Sequence, residues 1–263
     1  MFFCRKIIYN AYVIRCSVRA KKIKMKSNDV RPIFVTDSGI GGLSVLDKLA
    51  KSFPDERFIY YSDLKNVPYG NKDKKRIIKY CKKRVELAKK YNAKLIVVAC
   101  NTMSVIGEDL FSKCGIPEVG VCAASTEMLE KSPKPIVVFC TAATAKNLSI
   151  GRLSGIKVVG LPSLAKEIED HIFDKEFIPE CLNTDYGEVK TVVLGCTHYS
   201  FLKKQFSARF HPEKIVDGTD EAVQKTAAFL GRKICEKVPC TGGKVKFIGS
   251  GARKMEKVYK MRF

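Results

Sequence analysis

From Arg31 onward, short apolar runs alternate with stretches of helical periodicity. The runs 32–36, 57–62, 94–99, 117–121, 135–140, 156–160, 190–195 and 245–248 are of strand length and mostly apolar, rich in β-branched side chains. Helical patterns fill 43–52, 73–91, 103–112, 123–131, 143–152, 163–173, 200–208, 219–236 and 252–261. Such β-α alternation predicts an α/β protein of mainly parallel sheets covered by helices on both faces. Ligands in these folds bind beyond the carboxyl ends of the strands, where strand gives way to helix.

Two pairs of strand ends echo one another. "KLIVVACNT" (94–102) resembles "KTVVLGCTH" (190–198) at an offset of 96, and "RPIFVTDSG" (31–39) resembles "KPIVVFCTA" (134–142) at an offset of 103. Nearly equal offsets predict two similar halves, each offering polar strand ends to a shared cleft with one cysteine from each side. Chance likeness among apolar strands is the competing explanation.

Composition narrows the chemistry. The 263 residues suffice for a sizeable core, and no apolar stretch reaches membrane-spanning length. A soluble, cytoplasmic protein is expected. The 11 cysteines are odd in number, lack any C-x-x-C and have only three histidines for company, so neither a disulfide framework nor a zinc site is indicated. Net charge is +21. Eight basic residues and no acid fall within residues 1–28, which read as a dispensable extension, with Met25 an alternative start. Elsewhere lysines gather on helix faces, as in "NKDKKRIIKYCKKR" (71–84), where positions 77, 78, 81 and 85 mark the buried side. That pattern is a solvated surface rather than a specific nucleic-acid site.

The strand ends carry the candidate chemistry. Asp37 and Ser38 open a turn containing Gly39, Gly41 and Gly42 before a helix. Exposed N–H groups there would suit a carboxylate or phosphate. A dinucleotide fingerprint fits poorly, because Ser44 occupies the third glycine position and Asp37 would repel a pyrophosphate. Pro68 and Gly70 hold Tyr69 in a rigid loop. Cys100 and Cys196 sit at strand-to-helix junctions, where a helix N-terminus favours thiolate. His198 lies two residues beyond Cys196, and a Cys–His hydrolase is disfavoured by that spacing and by the lack of a G-x-C-x-G elbow.

"TDSGIGGLSVL" (36–46), "VPYG" (67–70), "ACNT" (99–102) and "LGCTHY" (194–199), in this order, resemble the glutamate racemases of the aspartate/glutamate racemase family. The resemblance runs from about Ile33 to the C-terminus. It implies two α/β domains with the active site in the cleft between them, the first formed by 29–124 plus 210–263 and the second by 125–209. It implies cofactor-independent interconversion of L- and D-glutamate, with Cys100 and Cys196 as bases on opposite faces of Cα and D-glutamate supplied to peptidoglycan. Asp37 would assist Cys100 and His198 would assist Cys196, with Glu169 as partner of His198. Asp37, Ser38, Tyr69, Gly70, Asn101, Thr102, Thr144, Thr197 and His198 match substrate-binding positions. The expected partners are glutamate and a second copy in a homodimer, without specific nucleic acid, membrane, cofactor or metal. If each sulfur approaches Cα to about 3–3.5 Å, the sulfurs stand about 6–7 Å apart and both thiols are free.

The sequence also departs from the family's pattern. Ser62 replaces a usual glycine, "Leu64-Lys-Asn66" replaces a more usual Thr-Ala-Arg, and Met103 replaces a common alanine. Cys140 stands for glycine in "CTAAT" (140–144), and "LPSLAKEIE" (161–169) is a poor copy of the family's C-P-x-L-V-P-L-V-E. An aspartate racemase and an inactive basic binding protein of the same fold are the alternatives; His198, where aspartate racemases more often carry Glu, favours glutamate.

Overall fold

The computed structural model describes residues 29–122, 126–148, 150, 153–174, 176–235 and 244–263, so the expected extension 1–28 lies outside the described residues. The first half runs β1 (Ile33–Thr36), α1 (Leu43–Ser52), β2 (Arg57–Asp63), α2 (Lys74–Lys90), β3 (Leu95–Val98), α3 (Asn101–Ile106), α4 (Glu108–Ser112), β4 (Glu118–Gly120). The second runs α5 (Thr126–Glu130), β5 (Ile136–Cys140), α6 (Ala142–Asn147), β6 (Ile156–Gly160), α7 (Leu164–Asp170), β7 (Thr191–Gly195), α8 (Lys203–Phe210), β8 (Lys214–Val216). The chain then returns through α9 (Thr219–Leu230), β9 (Lys244–Ser250) and α10 (Ala252–Arg262).

Among the described residues all strand pairs are parallel, in two sheets ordered β4-β3-β1-β2-β9 and β6-β5-β7-β8. Read in reverse, the second order is β8-β7-β5-β6, which maps strand for strand onto β4-β3-β1-β2. The repeat seen at the strand ends is thus a repeat of topology, with β9 added to the edge of the first sheet. Alternate residues of each strand serve different cores, as the two-residue period dictates. Ile33, Val35, Leu95, Val97, Val137, Phe139, Val192 and Leu194 face one continuous core shared by both halves. Phe34, Ile96 and Val98 face α2 and α3, while Ile136, Val138 and Val193 serve a smaller cluster on the second sheet.

The structure corrects several boundaries. The reading that residues from 210 onward belong with the first domain fails at β8, which pairs with β7 and completes the second sheet. The helix expected over 103–112 breaks at Gly107, where a Cβ would lie 2.7 Å from Cys81 Sγ and 2.8 Å from the Met103 carbonyl. The helix expected over 219–236 stops at Leu230, because Gly231 takes a left-handed conformation (φ 63°) that ends helices. Among the described residues no helix is long and apolar enough to cross a membrane.

Candidate active site

The carboxyl ends of β1 and β3 meet those of β5 and β7, and two seams join the halves there. Along the first, the turn Gly39–Gly42 packs on Thr197, His198 and Glu169. A Cβ at Gly41 would come within 2.6 Å of both His198 Nδ1 and Thr197 Oγ1, and one at Gly39 within 2.0 Å of Glu169 Oε1. Close approach of the halves therefore requires glycine at these positions. Along the second, Thr102 Oγ1 lies 3.0 Å from the hydroxyls of both Thr141 and Thr144, which are themselves 2.9 Å apart. Gly70 packs directly on Thr141, where an added Cβ would lie 2.5 Å from the threonine Cβ.

The glycine turn does not offer the open N–H groups read from its sequence. Gly39 and Gly42 N–H donate to Asp37 Oδ2 at 3.1 and 3.0 Å, and Ile40 N–H donates to Glu169 Oε1 at 3.3 Å. The turn does bind carboxylates, and they are the protein's own. Asp37 Oδ1 also accepts from Thr197 Oγ1 at 3.5 Å. Burial pushes the Asp37 carboxyl above its usual range, with His198 and the backbone N–H groups opposing that shift.

Cys100 forms the N-cap of α3 and is buried. Its Sγ lies 4.0 Å from Ser38 Oγ, a long contact for a thiol donor. Asp37 acts on it through space. Burial raises the Cys100 thiol well above its ordinary value and the Asp37 charge adds to the rise, outweighing the Met103 N–H and Ser38 hydroxyl. The helix-terminus effect expected from the sequence is present but loses to burial.

Cys196 precedes the 3₁₀ turn Thr197–Leu202, with its Sγ 3.8 Å from His198 Nδ1. His198 Nε2 is 2.9 Å from Glu169 Oε1 on α7. Burial alone would lower the His198 pKa, but the Cys196 sulfur and the Glu169 carboxylate outweigh it and hold the imidazole well above its ordinary value. Glu169 is correspondingly held low despite burial, chiefly by its bond to His198. Both Cys100 and Cys196 are free thiols.

Tyr69 sits otherwise than its motif suggests. Its hydroxyl donates to Asp63 Oδ2 at 2.8 Å and also meets Arg84 Nη2, so it is committed to the first half's interior. The turn reaches the seam through Gly70, whose main chain packs on Thr141. Thr141 is a site residue the sequence reading missed, although the 103-residue offset sets it opposite Ser38. Asn101, Thr102, Thr144 and Thr197 are all buried beside the two seams. Among the described residues no group of three or more His, Cys, Asp or Glu is gathered as a metal would require.

Two thiols at matching strand ends, one beside a hydroxyl and a carboxylate and the other beside a charged imidazole, can remove and return a proton across the seam. The family model of Asp/Glu/hydantoin racemases matches residues 41–226. Glutamate racemase from Clostridium acetobutylicum is 35% identical over 234 residues, covering 83% of this chain and 91% of its own. The crystal structure of glutamate racemase from Campylobacter jejuni superposes with a TM-score of 0.74 at 26% identity, covering 88% of this chain and 97% of that one. Glutamate racemase from Francisella tularensis, in complex with D-glutamate, gives 0.72 at 25% identity, covering 89% and 93%. The family match takes in β2, β3 and β4 of the first sheet, the whole second sheet and both strand-end cysteines, and the chain belongs to the Asp/Glu/hydantoin racemase family.

Proposed function

We propose that this chain interconverts L- and D-glutamate without a cofactor, Cys100 and Cys196 acting as bases on opposite faces of the substrate Cα. The observation that carries the reading is a pair of free, buried thiols at corresponding ends of β3 and β7, each with its own polar helper. One sulfur removes the α-proton while the other delivers a proton from the far side, and the centre inverts. Cys100 holds its proton at neutral pH, as burial dictates. His198 carries positive charge beside the Cys196 sulfur, complementary to an anion formed there during the cycle. Glutamate would enter by parting the two seams, because the side chains that flank them are buried. Desolvation then strengthens every fixed dipole around the reacting carbon.

The same reading has the enzyme in the cytoplasm as a homodimer, its D-glutamate directed to peptidoglycan precursors, as the family resemblance implies. The deciding experiment incubates each glutamate enantiomer in deuterated water and follows α-proton exchange with optical rotation. Both enantiomers should converge on a racemate deuterated at Cα. Exchange with aspartate but not glutamate would transfer the enzyme to the other acidic amino acid, and no exchange with either would end the proposal.

A further inference from the structure

Arg84 breaks the pattern of its own helix. The basic residues around it on α2 point to solvent, whereas Arg84 is completely buried, although the lysine-rich run that it ends reads as a solvated face. Removing a guanidinium from water is costly unless a partner compensates. Its Nη2 pairs with Asp63 Oδ2 at 3.1 Å and with the Tyr69 hydroxyl. Among the described residues Nε and Nη1 have no hydrogen-bond acceptor. The guanidinium instead lies over the ring of Tyr61, 4.3 Å from its centroid, and 5.8 Å from that of Tyr69.

Asp63 gathers the polar ends of the loop that leads to the seam. It accepts from Tyr69 Oη at 2.8 Å, from Asn66 Nδ2 at 3.0 Å on each oxygen and from Ser250 Oγ at 3.2 Å. Every one of those donors is neutral. Burial would raise the Asp63 carboxyl, but Tyr69, Asn66 and Arg84 together hold it below its usual range. At position 66 the loop brings Asp63 only a neutral amide, so the cation that pairs with Asp63 comes from α2.

We propose that Arg84 is a positioning residue, supplying from α2 the charge that Asn66 does not bring to Asp63 and fixing the Tyr69–Gly70 turn against Thr141 of the second half. The chain of contacts is short. Arg84 and Asp63 lock the Tyr69 hydroxyl, Tyr80 stacks on the Tyr69 ring at 4.7 Å, and Gly70 follows at once with its main chain on Thr141. An unlocked turn would loosen the substrate side of the cleft without touching either sulfur.

This role rests on the glutamate reading, and its test separates the two. Arg84→Met keeps an unbranched buried side chain and removes the charge, and Asn66→Arg in that background returns a charge from the loop. In the wild-type reaction, KM and kcat for glutamate set the reference. Arg84→Met should raise KM about tenfold or more with a smaller change in kcat, and the double variant should return KM to within about threefold of wild type. An unchanged KM in Arg84→Met overturns the proposal, as does a double variant no better than the single, whether judged by KM or, should the single not fold, by recovery of folded active enzyme. If the wild type does not racemise glutamate, the functional reading falls by itself. Thermal unfolding of the same proteins then decides whether Arg84 supplies that charge: Asn66→Arg must raise the melting temperature of Arg84→Met, and failure to do so overturns it.

Discussion

Cys100 and Cys196 end corresponding strands of a repeated four-strand unit, yet opposite charges surround the two sulfurs. Around Cys100 stand a hydroxyl, Ser38, and a buried carboxylate, Asp37; burial and the Asp37 charge keep the thiol protonated against the pull of the Ser38 hydroxyl. Around Cys196 stands His198, anchored by Glu169 and charged at neutral pH. Duplication of the fold supplied two equivalent strand ends, and side chains from neighbouring loops made them unequal. In the proposed two-base reaction each sulfur would be donor in one direction and acceptor in the other, with unlike surroundings on the two sides.

The hardest test of that comparison is to remove one sulfur at a time. Cys100→Ser and Cys196→Ser should each lower kcat/KM for racemisation by about 10²–10⁴-fold, the range for losing a positioned acid or base. In deuterated water the two variants should retain α-proton exchange with opposite enantiomers, because each keeps the base on a different face. Residual exchange of the same enantiomer in both would break the assignment of opposite faces, even with racemisation lost.

Much of this site can be read from residues alone, because its chemistry is concentrated in short motifs at strand ends. Eight of the nine described strands follow from apolar runs. β8 escapes because its apolar run is only Ile215 and Val216, closed by Lys214 and Asp217, too short to mark a period. The internal repeat contains the missing signal: shifting β4 by the 96-residue offset of the cysteine motifs lands on Lys214–Val216. The occupied N–H groups of the glycine turn and the inward Arg84 are of another kind. Asp37 folds back on its own turn to take the Gly39 and Gly42 N–H groups, whereas the Ile40 bond to Glu169 and the Arg84 pairing with Asp63 and Tyr69 join separate elements, which no local period encodes.

A milder change sharpens the electrostatic half of the comparison. Glu169→Gln removes the anion that helps hold His198 charged, so the imidazole pKa should fall toward or below its ordinary value. A group with a lower pKa loses its proton at lower pH, so an alkaline limb of the rate profile set by His198 moves toward acid. A drop in kcat of about tenfold or more should accompany it at neutral pH. The sign for stability is parallel. A histidine whose folded pKa is raised adds stability that is complete below its unfolded pKa, about 6.5, and is lost as pH rises through the folded value. Glu169→Gln should therefore narrow the stability advantage of the wild type as pH climbs above about 6.5. A pH profile and melting curve unmoved by the substitution would show that His198 is not held charged by Glu169, and the two sides would then differ less than their surroundings suggest.

The smallest effect is expected at the threonine seam, which differs from the glycine seam in holding no charge. Thr141→Val is close to isosteric and deletes one hydroxyl that caps α6 at the Thr144 N–H, 3.2 Å away, and bonds Thr102 and Thr144. The two remaining hydroxyls still bond each other at 3.0 Å, so the deletion leaves neither of them orphaned. The cost should accordingly stay near that of a lost N-cap, about 1 kcal/mol, a fall of about 2–4 °C in melting temperature for a chain of this size. Gly70 would still meet a methyl of the same volume, so kcat/KM should change by less than about threefold. A loss of a hundredfold would mean that the Thr141 hydroxyl meets the substrate itself, and the seam would then belong to the binding site rather than to its frame.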